Sequence, residues 1–470
     1  MITLRAFTPV FLAALCSVAG EAWAQLPQER CERPPASRPG AAGGEPAVPY
    51  EPSVRDYEEM SRREPRTAQD FFNHGVLHER LGQYASAIRD YTGAIERDPC
   101  FARAFERRGS ALASLNQFER ALTELDEAIR IDPYSASAFV NRGAVYAATG
   151  RHEQAIAEFS VAIGVEPLYS AAYLRRGESN EAAGHAGSAL DDFGAALRIN
   201  PRDARALMLR GRLHTRQGDY PRALEDFEAA IAVDARDARA YQSRAAVLAA
   251  TGNDERAIGD YGEAIRLDPR YAAAYLGRGD AYARRGRLDA AVQDYAQAIL
   301  LLPRNPPAYY GRGLARARQG DPMGAVEDLS EAIVHNAAHP GAHRNRGLAY
   351  AKLGDARRAL ADLEQALRVD PRDALAANEA AWLLATARDD GVRDGRKAVD
   401  LAHAACETSA WKNPGYLDTY AAALAEAGRF GDAAKWQEAA LAFPEFERAQ
   451  GRAARERLRL YREGKPYRTP

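Results

Sequence analysis

The chain has 470 residues, 46% hydrophobic and 27% charged, and its 63 basic and 65 acidic side chains leave a net charge of −2. So even a balance gives no case for a nucleic acid or an anionic membrane surface as partner. The four cysteines are too few and too scattered for a disulfide framework, so stability has to come from packing.

At the N-terminus, Arg5, an apolar run from Phe7 to Ala19 and the small-x-small Ala22-Trp23-Ala24 predict a signal peptide over residues 1–24. The run is short for a bilayer span. A lipoprotein cut before Cys16 is disfavoured by Leu15, which stands where such sites want Gly, Ala or Ser. Cleavage after Ala24 implies export, in a bacterium to the periplasm, with no membrane span left. Residues 25–52, rich in Pro, Gly and Ala, have the composition of a disordered tether. Residues 53–67, which contain Pro65, predict an N-terminal capping helix.

From residue 68 to residue 373 the sequence keeps a period of 34. Proline falls at Pro99, Pro133, Pro167, Pro201, Pro269, Pro303 and Pro371, with Ala235 and Ala337 on the two skipped beats. Ten residues after the beat stands a glycine, as at Gly75, Gly109 and Gly143. Seven further on stands a second, as at Gly82, Gly150 and Gly184, with Asn116 once in its place. Alanine follows from Ala87 to Ala359, and again from Ala94 to Ala366. Apolar residues keep helical spacing on both sides of the second glycine: Phe139, Gly143 and Tyr146 before it, Ala155, Phe159, Ala162 and Ile163 after it. Each unit therefore predicts two antiparallel helices of about 13 residues, about 20 Å long. The second glycine turns the chain and the proline stops the second helix. The first glycine and the alanines are small because the helix axes approach there, and a side chain at Gly143 would run into the partner helix. The nine units are 68–101, 102–135, 136–169, 170–203, 204–237, 238–271, 272–305, 306–339 and 340–373, stacked copies of one element.

Two charged positions share the beat. Arginine precedes the first glycine, as at Arg108, Arg142, Arg176 and Arg278, and an acid precedes the second-helix aromatic, as at Glu124, Glu158, Asp192 and Asp294. Both sit beside packed faces, where an unpaired charge is costly, so we expect an arginine–carboxylate ladder within or between units. The other reading makes the arginines a track for a polyanion. Residues 374–444 predict two divergent helix pairs, and 445–470 a capping helix and tail. That last helix, over 445–462, should pack through Phe446, Ala449 and Ala453 and expose Arg452, Arg455, Arg459 and Arg462.

The third unit, with Phe139, Gly143, Tyr146, Gly150, Ala155, Phe159, Ala162 and Pro167, resembles the tetratricopeptide repeat (TPR), and the other eight follow it. The resemblance implies an all-α fold, a right-handed TPR superhelix or α-solenoid of antiparallel helix pairs. It also implies a protein or peptide partner in a concave groove lined by the second, fifth, ninth, twelfth and thirteenth positions of each unit. Those positions hold apolar Val140, Ala144, Ala147, Leu174 and Met208, acidic Glu178 and Glu181, and a basic zone of Arg205, Arg212, Arg216 and Arg239. Arg284, Tyr310, Arg318 and Lys352 lie beyond. Such a groove suits an extended segment or helix with an apolar part and an acidic part.

No catalytic, cofactor or metal site is expected. His74 and His78 share a helix but stand where other units place packing residues, and Pro340 interrupts the run of His335, His339 and His343. There is no glycine-rich phosphate loop after a strand and no zinc-protease motif. The expectation is a non-catalytic protein–protein interaction scaffold set in an envelope complex. The alternative is an accessory subunit that positions an enzyme or polymer substrate in envelope polysaccharide or secretion machinery.

Overall fold

The computed structural model describes residues 64–337 and 339–469. The signal peptide, the tether and most of the N-terminal capping helix lie outside them. The described residues form 23 α-helices and no strand. They group into two compact units that divide between Leu213 and His214.

In the first unit the pairs are α1 (Ala68–Arg80) and α2 (Tyr84–Arg97), α3 (Ala102–Ser114) and α4 (Phe118–Ile131), α5 (Ala136–Ala148) and α6 (His152–Val165), α7 (Ser170–Ala182) and α8 (Ala186–Ile199). The division falls inside α9 (Ala204–Arg216). The second unit continues with α10 (Tyr220–Val233), α11 (Ala238–Ala250) and α12 (Asp254–Leu267), α13 (Ala272–Arg284) and α14 (Leu288–Leu301), α15 (Pro306–Gln319) and α16 (Pro322–His335), α17 (Pro340–Lys352) and α18 (Ala356–Val369). It ends with α19 (Ala374–Thr386), α20 (Gly395–Thr408), α21 (Pro414–Glu426), α22 (Phe430–Leu441) and α23 (Pro444–Arg462). Every repeat boundary read from the period falls on the first residue of a first helix.

Helices of 13 or 14 residues are marginal alone, so packing must hold them. A Cβ built on Gly143 would lie 2.7 Å from the Phe159 ring, and one on Gly177 2.6 Å from Phe193. The absent side chain lets the second-helix aromatic lie flat against the first helix, where it is almost fully buried. The second glycines occupy the left-handed region, as Gly150 does at φ 76°, and Asn116 adopts it at 59° in their place.

In six of the nine repeats the stop after the second helix has a cause beyond proline. Asp98, Asp132, Asn200, Asp234, Asp268 and Asp370 each accept a hydrogen bond from the backbone N–H two residues on, at 2.9–3.3 Å. Asp234 does so before Ala235, and the helix ends there without a proline.

The arginine–carboxylate ladder is present. Arg108 pairs with Glu124, Arg142 with Glu158, Arg176 with Asp192, Arg244 with Asp260, Arg278 with Asp294, Arg312 with Asp328 and Arg346 with Asp362, all at 2.6–2.8 Å. Each pair clamps first helix to second within one repeat. In repeat one, where the arginine position is His74, the carboxylate of Asp90 meets His78 Nδ1 at 2.6 Å instead. Several arginines also reach back one repeat: Arg108 donates to Thr92, Arg142 to Asp126, Arg176 to Ser160 and Arg346 to Ser330, at 2.7–3.0 Å. These guanidinium groups serve stacking, which removes the polyanion-track reading.

The last five helices close one core around Leu384, Ala402, Cys406, Leu417, Leu424 and Tyr461. The packed face of α23 is the expected one in part: Phe446 packs on that core and Arg452, Arg455, Arg459 and Arg462 are exposed. Ala449 and Ala453 are exposed, whereas Gly451, Ala454, Arg457, Leu458 and Tyr461 are buried. Arg457 can enter because Asp418 takes its Nε and Nη2 at 3.0 and 2.9 Å, and Gln437 donates to the same carboxylate at 2.7 Å. Cys406 is buried and free, and Cys100 is disulfide-bonded.

Candidate functional site

Groove positions differ in burial: fifth-position Phe72, Glu106, Val140 and Leu174 are buried, whereas ninth-position Ala144 and Glu178 are half-buried. In the first unit, Val140 and Leu174 are buried into the stack and contribute floor rather than reach. Ala144 and Ala147 line a hollow of about 160 Å³ with His152, Arg175 and Glu178. Glu178 holds Arg205 at 2.5 Å and Arg175 at 3.4 Å. Glu181 and Met208 are half-buried nearby in sequence, and Arg212 is exposed.

The basic zone does not survive as drawn. Arg205 is neutralised by Glu178, and Arg239 folds onto Asp237 of its own helix cap at 3.0 Å. Arg284 is likewise engaged by Asp254, at 2.7 Å.

A cleft of about 680 Å³ lies in the second unit, over repeats seven to nine. Its walls are Pro306, Pro307, Tyr310, Leu314, Ala317 and Arg318 of α15, Asp280 and Ala283 of α13, and His339 and Asn345 at α17. Tyr310 stacks on His339 with ring centroids 4.5 Å apart and accepts from Asn345 Nδ2 at 3.1 Å. His339 is fixed in turn by capping α17, its Nδ1 accepting from the Ala342 N–H at 3.2 Å. Arg318 donates to the Ala283 carbonyl at 2.9 Å and stays exposed on the rim.

Gly311 lines this cleft with Tyr295, and it and Gly277 in the preceding repeat are glycines that the repeat pattern does not require. A Cβ on Gly311 would lie 2.6 Å from Tyr295 Cζ, and one on Gly277 2.4 Å from Tyr261 Cζ. Each tyrosine of a second helix thus passes a first helix of the next repeat. The Tyr295 hydroxyl donates to Asp280 Oδ1 at 2.7 Å. Burial among the groove walls pushes the Asp280 carboxyl above its ordinary range, even with that donor present. Burial likewise pushes the Tyr261 hydroxyl up to about 12.

Of the residues named from the sequence, Tyr310 and Arg318 come together here; Pro307, Leu314 and Asp280 stand at second and ninth positions but were not named, and Asn345, at a sixth position, was missed. The signal for the first three is their position in the repeat; Asn345 shows itself only through the Tyr310 hydroxyl that it meets.

The three late histidines go to three places. His335 lies 6.0 Å from the Tyr309 ring, His339 caps α17, and His343 is buried with Nδ1 3.2 Å from Asp362. Among the described residues no three His, Cys, Asp or Glu side chains gather as metal ligands would. None of the described helices is long and apolar enough to cross a membrane.

A family model described as tetratricopeptide repeat matches residues 72–136, 116–173, 140–204, 172–237, 208–265 and 310–356. Related models match 245–286 and 279–320, and 340–373. No curated protein matches the chain in sequence. Among solved structures, YrrB, described as a TPR protein with an unusual peptide-binding site, is 21% identical over 40% of this chain and 96% of its own, with a TM-score of 0.36. A tetratricopeptide repeat protein from Parabacteroides merdae is 21% identical over 53% of this chain and 98% of its own, at 0.40. The APC/C hetero-tetramer Cut9–Hcn1 is 16% identical over 76% of each chain, at 0.42.

Proposed function

Since the chain belongs to the tetratricopeptide repeat family, we propose that it is a non-catalytic scaffold holding a peptide segment or helix of a partner protein in its groove, within an exported envelope complex. The observation that carries the reading is the cleft of repeats seven to nine. Its apolar walls give an anchor for a side chain, while Asn345, Asp280 and Arg318 offer the donors and acceptors that an extended backbone needs. The export part of the proposal rests on Arg5, the apolar run after it and Ala22-Trp23-Ala24.

A peptide array tests the proposal, probed with the purified chain and with a Tyr310→Ala, Leu314→Ser variant. Binding of defined peptides by the intact chain, weakened at least tenfold in a variant with unchanged circular dichroism, is the expected result. Equal binding by both chains would remove the cleft from the function. A response only to a parallel polysaccharide array would favour the accessory-subunit alternative.

A further inference from the structure

The chain beyond α23 folds back on the second unit as an extended segment, residues 465–469. It lands on groove positions. Counted from Ala374 and Pro414, Trp382, Ala385 and Thr386 are the ninth, twelfth and thirteenth residues of repeat ten, and Glu426 is the thirteenth of repeat eleven.

Tyr467 packs against the Trp382 ring, with centroids 6.0 Å apart. Arg468 Nη1 donates to Glu426 Oε2 at 2.6 Å and lies 3.4 Å from the Ala385 carbonyl. The Thr469 N–H donates to the Thr386 carbonyl at 2.9 Å, and their hydroxyls are 2.8 Å apart. One aromatic anchor, one shielded ion pair and main-chain hydrogen bonds are what a groove uses to hold a peptide strand.

The receptor side is fixed independently of the segment. Glu426 is also held by Arg393, at 3.1 Å. Arg457 sits 5.5 Å from the Trp382 ring and is itself clamped by Asp418. The segment, by contrast, is joined through Gly464 in the left-handed region, and the Arg468 side chain is 35% exposed.

We propose that repeats ten and eleven carry a peptide site that the chain fills with its own residues 466–469. An extended partner segment with an aromatic residue followed by a basic one takes the site when the resident segment lifts off. The site is separate from the cleft of repeats seven to nine and stands whether or not that cleft binds anything. Held in cis, the resident segment competes at an effective concentration of about millimolar.

The test compares the full chain with a version ending at Gly464, both checked by circular dichroism. The probe is a dye-labelled peptide of residues 464–469, Gly-Lys-Pro-Tyr-Arg-Thr, alongside the same peptide with Glu in place of Arg. The shortened chain should bind the first peptide, with a change in tryptophan emission. It should bind the acidic peptide at least tenfold more weakly, and so should the full chain bind the first. A folded shortened chain that binds neither peptide, or both alike, overturns the proposal. If shortening prevents folding, Arg468→Glu in the full chain loosens the segment without removing it. That variant should then admit the unmodified peptide, and continued exclusion equal to the parent's also overturns the proposal. Loss of binding in the Tyr310 and Leu314 variant bears only on the other cleft.

Discussion

Gly143 and Phe159 show how much one hydrogen can decide. With 2.7 Å between a would-be Cβ and the ring, Gly143→Ala must displace a buried aromatic, and we expect it to cost about 1–3 kcal/mol in urea denaturation. Glu106 makes a subtler case on the groove side of α3. It is 9% exposed and accepts from Ser137 at 2.9 Å and Asn141 at 2.9 Å, yet burial still pushes its carboxyl above the ordinary range. A raised folded pKa means that the native state holds the proton more tightly than the unfolded chain does. The contribution is thus full below the unfolded value of about 4.3 and lost as pH rises through the folded one. Glu106→Gln should therefore gain on the parent chain between pH 4 and pH 7. Equal differences at both pH values would refute this. At this scale the ladder was legible because arginine and acid both keep the 34-residue beat. Its backward links were not, since the acceptor alternates among Thr92, Asp126, Ser160 and Ser330. Arg457 was hidden for the opposite reason: an arginine inside an apolar stripe reads as a solvent residue until Asp418 is seen beside it.

Helix boundaries were nearly all readable, because glycine and proline mark them and both act locally. The division of labour at the stop was not. Proline keeps the period, but in six repeats an aspartate or asparagine at the helix end also makes the turn, and Asp234 makes it without a proline. Ala235→Pro should consequently be accepted: sister repeats carry proline there, and restricting the unfolded chain should add about 0.4–1 kcal/mol in thermal or urea unfolding. A loss of stability would show that the turn at Ala235 differs from its sisters. The candidate cleft was half legible for a related reason. Its wall residues occupy family groove positions, so Tyr310 and Arg318 could be named. Its lining also takes in Gly311, whose role appears only when Tyr295 is seen passing it. The last helix misled the reading because Ala449 and Ala453 are helix formers at apolar spacing, and the choice between that stripe and Ala454, Leu458 and Tyr461 is made by α21 and α22.

For the whole molecule, contacts run between neighbours in sequence, so its energetics should be close to a sum over repeats and their joints. Excising residues 272–305 joins helices in phase, and circular dichroism should show a folded chain with proportionally less helix; removing 17 residues instead should not give one. Trp382, Trp411 and Trp436 all lie in the last two repeats, with Trp411 and Trp436 stacked at 4.7 Å. Fluorescence among the described residues therefore reports that end alone, while circular dichroism reports all of them. What the period could not convey is where neighbours are tied twice. The back-reaching arginines tie repeats one to four in the first unit and eight to nine in the second. Between six and eight the acceptor position holds Gly262 and Ala296, which have nothing to offer Arg278 and Arg312. The joints there are tied at the helix ends instead, Arg284 to Asp254 and Arg318 to the Ala283 carbonyl. The second unit therefore has two kinds of joint, and salt screens the exposed Arg284–Asp254 pair before it touches the half-buried Arg346–Ser330 contact.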